Sequence, residues 1–451
     1  MGIINVKGTH DIIAGEAESY AYVENIMSQI ASLYAFQPVR PPVLEHSELF
    51  IRGVGEASDV VRKEMYTFDD KGGRSLTLRP EFTAGIIRLI VQNKLLPINE
   101  LPLKFYYCGP VFRYERPQLG RYRQFNQFGV ESVGHNSAHA DVECIALAYT
   151  ILQSLGLENV TIKINTLGDE ASRNAYRDAL RKFFADKIDH MCEDCKSRYE
   201  LNPLRILDCK VPEDQEIVKY APLMKDYLSS ESQKRFLEVL DTLRELGIPY
   251  EVDDTLVRGL DYYSDTVFEF HYVSKMGKDY GAVGAGGHYD KLVKELGGPD
   301  VPGIGFSFGV ERIVSVLSDD GLLPDASSMN LDAYVMPIGE ESRRYALNIA
   351  DDLRLLGYRV DICYDNVKLG NMFKRAEKKG AKLAIIIGEN EIKNNEVIIK
   401  NMQTQEQITV SELKLGEEVD AIFEPKKERY KESKTECCEG EECECKKGEK
   451  K

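Results

Sequence analysis

Four arginines, Arg113, Arg116, Arg121 and Arg123, fall within the twenty residues from Phe112 to Glu131, with only Glu115 and Glu131 to offset them. Tyr114, Tyr122, Phe125 and Phe128 are interleaved among them. Guanidinium groups match phosphate oxygens in paired hydrogen bonds, and aromatic rings can stack on a base. The Pro117–Gly120 break reads as a hairpin loop between two strands, so the guanidinium groups can converge on one surface. A solvated, salt-bridged hairpin has the same composition, and this stretch alone leaves both readings open.

Three later stretches offer partners. In Gly303 to Leu317 a strand runs into a helix through Gly309, and Val310, Ile313, Val314 and Leu317 keep the apolar stripe. Arg312 then falls in the first turn on the other face, where a cation opposes the helix dipole. Glu311 or another carboxylate offsets it, or an anion such as phosphate does. In Leu78 to Thr83, Pro80 is expected to open a helix with Glu81 and Thr83 in its first turn. Those oxygens either cap the helix or hold a substrate ammonium group. Leu256 to Phe270 combines a β-rich run with Arg258, Asp261, Tyr262 and Tyr263, and the glycines of Gly281 to Asp290 let backbone approach a ligand closely. Neither a G-x-G-x-x-G nor a P-loop pattern is present, so a nucleotide site here is of another kind.

Cys192-x-x-Cys195, followed fourteen residues later by Cys209, resembles part of a zinc site with His190 as the candidate fourth ligand. The balance of the sequence nevertheless assigns no metal. His135 and His139 also match an ordinary polar loop and helix start. Cys437, Cys438, Cys443 and Cys445 lie in a Lys/Glu-rich tail that is expected to be disordered and incidental to function.

The elements that must position these residues follow from periodicity. Ala21 to Tyr34 reads as a helix burying Val23, Ile26, Ile30 and Leu33. Val39 to Glu45, with Pro41 and Pro42, must be extended and suits a sheet edge or an interface. Dimer contact and plain core packing both remain open. Met65–Phe68 and Ser75–Leu78 read as a hairpin, and Asp141 to Gly156 as a helix. Residues 168–248 form a charged helical insertion, and strands alternate with helices from Ala333 to Ile387, implying a small α/β domain. The chain has 451 residues, a net charge of −16 and a pI near 5.1, which argue against a sequence-blind nucleic-acid coat but allow a local basic site. The N-terminus lacks signal-peptide features and no apolar run approaches membrane-spanning length. A cytoplasmic protein with reduced thiols, not attached to a membrane, is expected.

Taken together, these stretches resemble the histidyl-tRNA synthetases, a family in the second structural class of aminoacyl-tRNA synthetases, from Lys7-Gly8-Thr9 to about Phe423. The helix and strand ending at Pro42 resemble the dimer-forming first class motif. Phe112-Arg113-Tyr114-Glu115 resembles the start of the second motif, and Gly303 to Arg312 the third. Val257 to Tyr263 and Ala285 to Asp290 resemble two histidine-specific motifs, except that His288 stands where the family has arginine, and no role is assigned to it.

The resemblance implies an α+β fold: an antiparallel-sheet catalytic domain over residues 1–325 carrying the 168–248 insertion, an anticodon-binding α/β domain over 330–424, and a tail at 425–451. It also implies that histidine is activated with ATP and Mg²⁺ and then transferred to the 3′ end of tRNA(His) by a homodimer. By the same resemblance Arg113 holds the α-phosphate, and Arg121 and Arg312 reach the β- and γ-phosphates. Phe125 and Arg312 sandwich adenine, with Glu115 at its polar edge. Glu81, Thr83 and Gln127 grip the α-amino group of histidine, Glu131 and Tyr263 its ring nitrogens, and Arg258 bridges its carboxylate to the α-phosphate. Arg116 and Gln118 face the tRNA acceptor end. The alternative is a non-catalytic paralogue that regulates an ATP phosphoribosyltransferase; such paralogues lack the C-terminal domain and several of these residues, which are present here.

Overall fold

The computed structural model describes residues 2–56, 58–96, 101–116, 121–324 and 330–423. The chain divides into two compact units, Met1–Leu323 and Pro324–Lys451.

The first unit is built on an eight-stranded sheet in the order Gln37–Pro38, Leu103–Phe112, Gln124–Val133, Gly303–Gly309, Asp279–Tyr289, Ser264–Val273, Val160–Thr166 and Tyr250–Val252. The six central strands are antiparallel to their neighbours, and the two outer ones pair parallel. Side chains alternate between the faces of a strand, so one sheet can carry a core on one side and chemistry on the other. Phe128 and Val130, Phe268 and Phe270, and Phe306 and Phe308 all enter a single apolar core. Over that core lie the helices Ala14–Leu33, Ala138–Ser154 and Val310–Asp319. Each fully buried side chain of this kind contributes about 1.5–3 kcal/mol.

The first helix begins earlier than its periodicity suggests, at Ala14, and its buried stripe is Tyr20, Val23, Met27 and Ala31. Ile26 and Ile30 flank that stripe half-buried, and Leu33 is exposed. Both stripes have helical spacing, so the sequence leaves the rotation of the helix to tertiary packing. The proline segment after it is held by Arg79, whose guanidinium donates to the carbonyls of Pro41 and Pro110, each at 2.8 Å. Prolines cannot donate to a ladder, but their carbonyls can still accept.

Tyr66–Asp69 and Ser75–Leu78 form the expected hairpin, joined by Leu44–His46 in a three-stranded sheet. Pro80 does not open the helix that follows, which runs Thr83–Gln92. Glu81 stands before that helix, and its carboxylate accepts from the N–H groups of Thr83 and Ala84 at 2.6 and 3.0 Å. A carboxylate placed outside the first turn thus satisfies donors that the helix leaves open.

The charged stretch expected as one insertion divides. Glu170–Phe184, Glu193–Leu201 and Pro212–Val218 pack around their own core of Tyr176, Leu180, Phe184, Ile206 and Met224. Ser230–Glu245 instead sends Val239 and Leu243 into the main core.

The second unit has a five-stranded sheet in the order Val360–Ile362, Ala333–Pro337, Leu383–Ile387, Glu396–Asn401 and Gln407–Ser411. Its first three strands are parallel, with Ser342–Leu355 and Leu369–Lys378 as the crossover helices. The last two form an antiparallel hairpin that the alternation of strands and helices does not reveal. No helix among the described residues is long and apolar enough to cross a membrane. The Pro117–Gly120 loop and the residues from 424 onward lie outside the described residues.

Candidate active site

The face of the large sheet opposite the main core opens into a cavity of about 440 Å³. Register places its floor. Glu131 pairs with Gly305, which pairs with Gly287; two residues along, Tyr107, Gly129, Ser307, Ala285 and Glu269 form the next row. A Cβ on Gly305 would run into the Glu131 carboxylate, and one on Gly287 into the Tyr263 ring, so the two glycines make the room these side chains occupy. Glu81, Thr83, Arg113, Glu115, Arg121, Phe125, Gln127, Glu131, Arg258, Tyr263 and Arg312 all line this one cavity. Arg116 is exposed and does not line it, and Gln118 lies outside the described residues. Of the arginine cluster, Arg123 also turns away, stacking over Tyr114 at 4.0 Å.

One end of the cavity is acidic and enclosed. Thr83 Oγ1 donates to Glu131 Oε1 at 2.6 Å, and the Tyr289 hydroxyl donates to Oε2 at 2.9 Å. These partners are neutral. Burial pushes the Glu131 carboxyl up to about 8, the hydrogen bonds from Thr83 and Tyr289 offsetting only part of that, and it raises Glu81 as well. Tyr107 and Tyr289 are likewise raised by burial first and the nearby glutamates second, and Tyr262 by burial, then Tyr263, then the glutamates. Two buried carboxyls ringed by hydroxyls, neither in direct contact with a lysine or arginine among the described residues, form a receptor for a small cationic or N–H-rich group.

The other end is basic. Arg113 lies 5.6 Å from the centre of the Phe125 ring and donates through Nε to the Pro80 carbonyl at 2.9 Å. Arg121 sits 3.6 Å from Glu115. Arg312 donates to the Ala282 carbonyl, and its pKa is lowered by burial and then by the charge of Arg121. Glu311, beside Arg312, is engaged elsewhere: its carboxylate accepts from the Asn126 N–H at 2.8 and 2.9 Å. The dipole-opposing cation anticipated in this helix therefore lacks an offsetting neighbour at Glu311, and a polyanion fits between the three guanidinium groups.

Arg258 lies between the two ends. Its Nη1 donates to Glu269 Oε1 at 2.7 Å, and Glu269 Oε2 contacts His271 Nε2 at 2.9 Å. The Arg258 Nε is buried without a hydrogen-bond partner among the described residues. The sequence reading missed Glu269 and Tyr289. Glu269 had a visible signal, a charged residue between Phe268 and Phe270 in a strand that is otherwise mostly apolar. Tyr289 had none beyond its place in a glycine-rich strand.

Comparison with known proteins decides the family. A family model described as histidyl-tRNA synthetase matches residues 8–313, and one described as an anticodon binding domain matches 332–422. The chain belongs to the histidyl-tRNA synthetase family. It is 46% identical over 415 residues to the histidine–tRNA ligase of Bacillus subtilis (strain 168), covering 91% of this chain and 97% of that one. The crystal structure of apo S. aureus histidyl-tRNA synthetase superposes with a TM-score of 0.79 at 37% identity, covering 93% of this chain and all of the other. A structure titled an ATP phosphoribosyltransferase regulatory subunit/histidyl-tRNA synthetase, from Bacillus halodurans C, has a TM-score of 0.60 at 21% identity over 84% of this chain and 97% of that one, and shares the fold alone.

Within this synthetase fold His288, at the position where the resemblance expects arginine, is buried in a separate cluster behind the sheet. Its two ring nitrogens lie 3.0 Å from Asp141 Oδ1 and 3.1 Å from Asp290 Oδ1. Burial disfavours the imidazolium, but Asp141 and then Asp290 outweigh it and raise His288 to about 9. The two carboxylates favour the imidazolium against burial and the nearby Arg235, a positive charge of the kind the resemblance expects at that position.

Proposed function

We propose that this cavity activates histidine with ATP and passes it to the tRNA. The chain is an ATP-dependent histidine–tRNA ligase by family, and it charges tRNA(His). The observation that carries the assignment of residues is the division of one cavity into an acidic end and an arginine end, with Arg258 between them.

At the acidic end Glu81, Thr83 and Gln127 take the α-ammonium group, and Glu131 and Tyr263 take the two ring nitrogens. A side chain lacking those nitrogens leaves Glu131 buried and unmatched, which disfavours apolar analogues strongly. At the basic end Arg113 holds the α-phosphate, Arg121 and Arg312 the outer phosphates, and the adenine stacks between Phe125 and Arg312 with its polar edge on Glu115. The histidine carboxylate oxygen attacks the α-phosphorus, the bond to the β-phosphate oxygen breaks in line, and pyrophosphate leaves. Arg258 reaches both the carboxylate and the α-phosphate and is placed to stabilise charge that develops only in the transition state. The 3′-terminal ribose then takes histidine from the adenylate and AMP leaves, with Arg116 and Gln118 guiding the acceptor end.

Mg²⁺ fits here as an ion carried on the phosphates, whose charge it neutralises. Among the described residues no three acidic, imidazole or thiol ligands gather in the cavity, so the ion would be held by the phosphates and would offset their charge there. A homodimer is supported by the outer-strand position of Gln37–Pro38 and the exposed Leu44 nearby; light scattering should return twice the chain mass. The same reading places the protein in the cytoplasm.

ATP–pyrophosphate exchange with a panel of amino acids tests the assignment. Exchange driven by histidine is expected, and exchange driven by another amino acid but not by histidine contradicts it.

A further inference from the structure

Inside the insertion, three thiols and a carboxylate that the charging reaction does not use converge. Cys192 precedes the Glu193–Leu201 helix and Cys195 lies in its first turns. Cys209 follows the short Pro203–Asp208 helical turn, and Asp214 is in the first turn of Pro212–Val218. Their four ligand atoms all lie within 4.8 Å of one another. Cys195, Cys209 and Asp214 are buried, and Cys192 is half-buried and leaves a way in.

The spacings match a tetrahedron. With zinc–sulfur bonds of about 2.3 Å, two thiolates on one ion stand about 3.8 Å apart, and a thiolate and a carboxylate oxygen about 3.5 Å. Cys192 Sγ and Cys209 Sγ are 3.8 Å apart, and Cys209 Sγ is 3.2 Å from Asp214 Oδ2. Asp214 also accepts from the Cys192 N–H, at 3.1 and 3.3 Å, and from the Cys192 and Cys195 thiols, and among the described residues no lysine or arginine pairs with it. A buried carboxylate with no cation from the chain is costly, and a divalent ion at the centre of the cluster removes that cost.

We propose that Cys192, Cys195, Cys209 and Asp214 bind one structural Zn²⁺. Four protein ligands close the coordination shell, so the ion acts as a staple and has no open position for catalysis. His190, the fourth ligand that spacing alone brings forward, is exposed and outside the cluster. What the staple fixes is visible next to it. Arg198 and Arg205, on the two segments it joins, both reach Asp59, at 3.0 and 2.8 Å. Arg205 donates to the Gly259 carbonyl at 2.9 Å, and Asn202 to Asp261 Oδ1 at 2.8 Å. Gly259 and Asp261 follow directly after Arg258 in the same loop, so the metal holds that loop in position.

The test uses the full chain with Cys437, Cys438, Cys443 and Cys445 replaced by serine, so that the tail contributes no ligands. Elemental analysis after growth with zinc should find about one zinc per chain, as a closed four-ligand site requires. Replacement of the ion by cobalt(II) should give the absorption of a tetrahedral thiolate complex. Both signals should fall at least tenfold in Cys192→Ser, whose half-buried thiol makes it the gentlest variant, and in Cys195→Ser. Absence of stoichiometric metal overturns the proposal, as does metal retained in both variants or a Cys192–Cys209 disulfide in the purified protein. None of these readouts requires substrate, so failure here leaves the histidine-charging assignment standing, and the reverse also holds.

Discussion

Adjacent residues of the Asp279–Tyr289 strand separate two buried clusters of charge that are built in opposite ways. Tyr289 points to the cavity and donates to Glu131; His288 points to the other face and sits between Asp141 and Asp290. Behind the sheet, Asp141, Asp290 and His288 each have an oppositely charged partner in the chain. Arg235 donates to Asp141 at 2.8 Å, as does Thr266, and the His288 imidazolium completes the set. In the cavity, Glu81 and Glu131 accept hydrogen bonds from hydroxyl and backbone donors, and among the described residues Arg121 pairs with Glu115 while Arg113 is near Glu64 and Glu81 without a direct ion pair. A balanced buried cluster holds the fold together, whereas an unbalanced one needs a ligand. Arg258 is intermediate, paired with Glu269 and set against Tyr263, with its Nε lacking a hydrogen-bond partner among the described residues.

The largest effect should come from breaking the balanced cluster. His288→Ala leaves Asp290 without its imidazolium partner and Asp141 with Arg235 as its cation, and should lower stability by about 3–5 kcal/mol in denaturant unfolding. His288→Arg should retain most of that stability, since the resemblance places arginine there. Next is the intermediate residue. Arg258→Ala should slow adenylation by about 10²–10³-fold, the scale of losing one transition-state donor, while histidine binding falls less than tenfold. Equal loss in both would make Arg258 a plain binding group.

The smallest effect separates the clusters by pH. The His288 pKa is raised from 6.5 to about 9, so its contribution to stability is complete below the lower value and is lost as pH rises through the upper one. Asp290, where burial is outweighed by His288, is held at about 2, so its contribution is present above the ordinary carboxylate range and is lost as pH falls through about 2. Wild-type protein should therefore lose stability from about pH 6.5 to 9, and His288→Arg should lose less over that window, because arginine does not titrate there.

Much of the cavity was legible because the arginine hairpin and Arg312 have an unusual composition and because the family resemblance supplied Phe125, Gln127 and Glu131, which strand alternation puts on one face. The rest depends on contacts distant in sequence. Asp141 and His288 meet only because a helix start packs behind a strand 147 residues later. Asp214 belongs to no recognised ligand spacing with Cys195 and is visible only once the insertion has folded. Pro80 misleads because proline is welcome in a first turn, yet here the helix waits until Thr83 and is capped by Glu81 from outside. The Glu396–Ser411 hairpin turns without glycine, so it lacks the strongest turn signal.

The claim that Glu131 is unbalanced for the sake of histidine is tested most directly by Glu131→Gln, measured for both histidine affinity and thermal stability from pH 6 to 9. Glutamine keeps an acceptor for Thr83 and removes the charge. Since Glu131 is raised from 4.5 to about 8, the wild-type carboxyl works against folding increasingly as pH rises through that range. Histidine binding should fall by on the order of 10²-fold, the loss of one or two charged hydrogen bonds. The melting temperature of the free protein should stay level or rise, with the largest gain near pH 9. A variant that loses stability along with affinity would place Glu131 with His288, as a structural charge, and contradict the account.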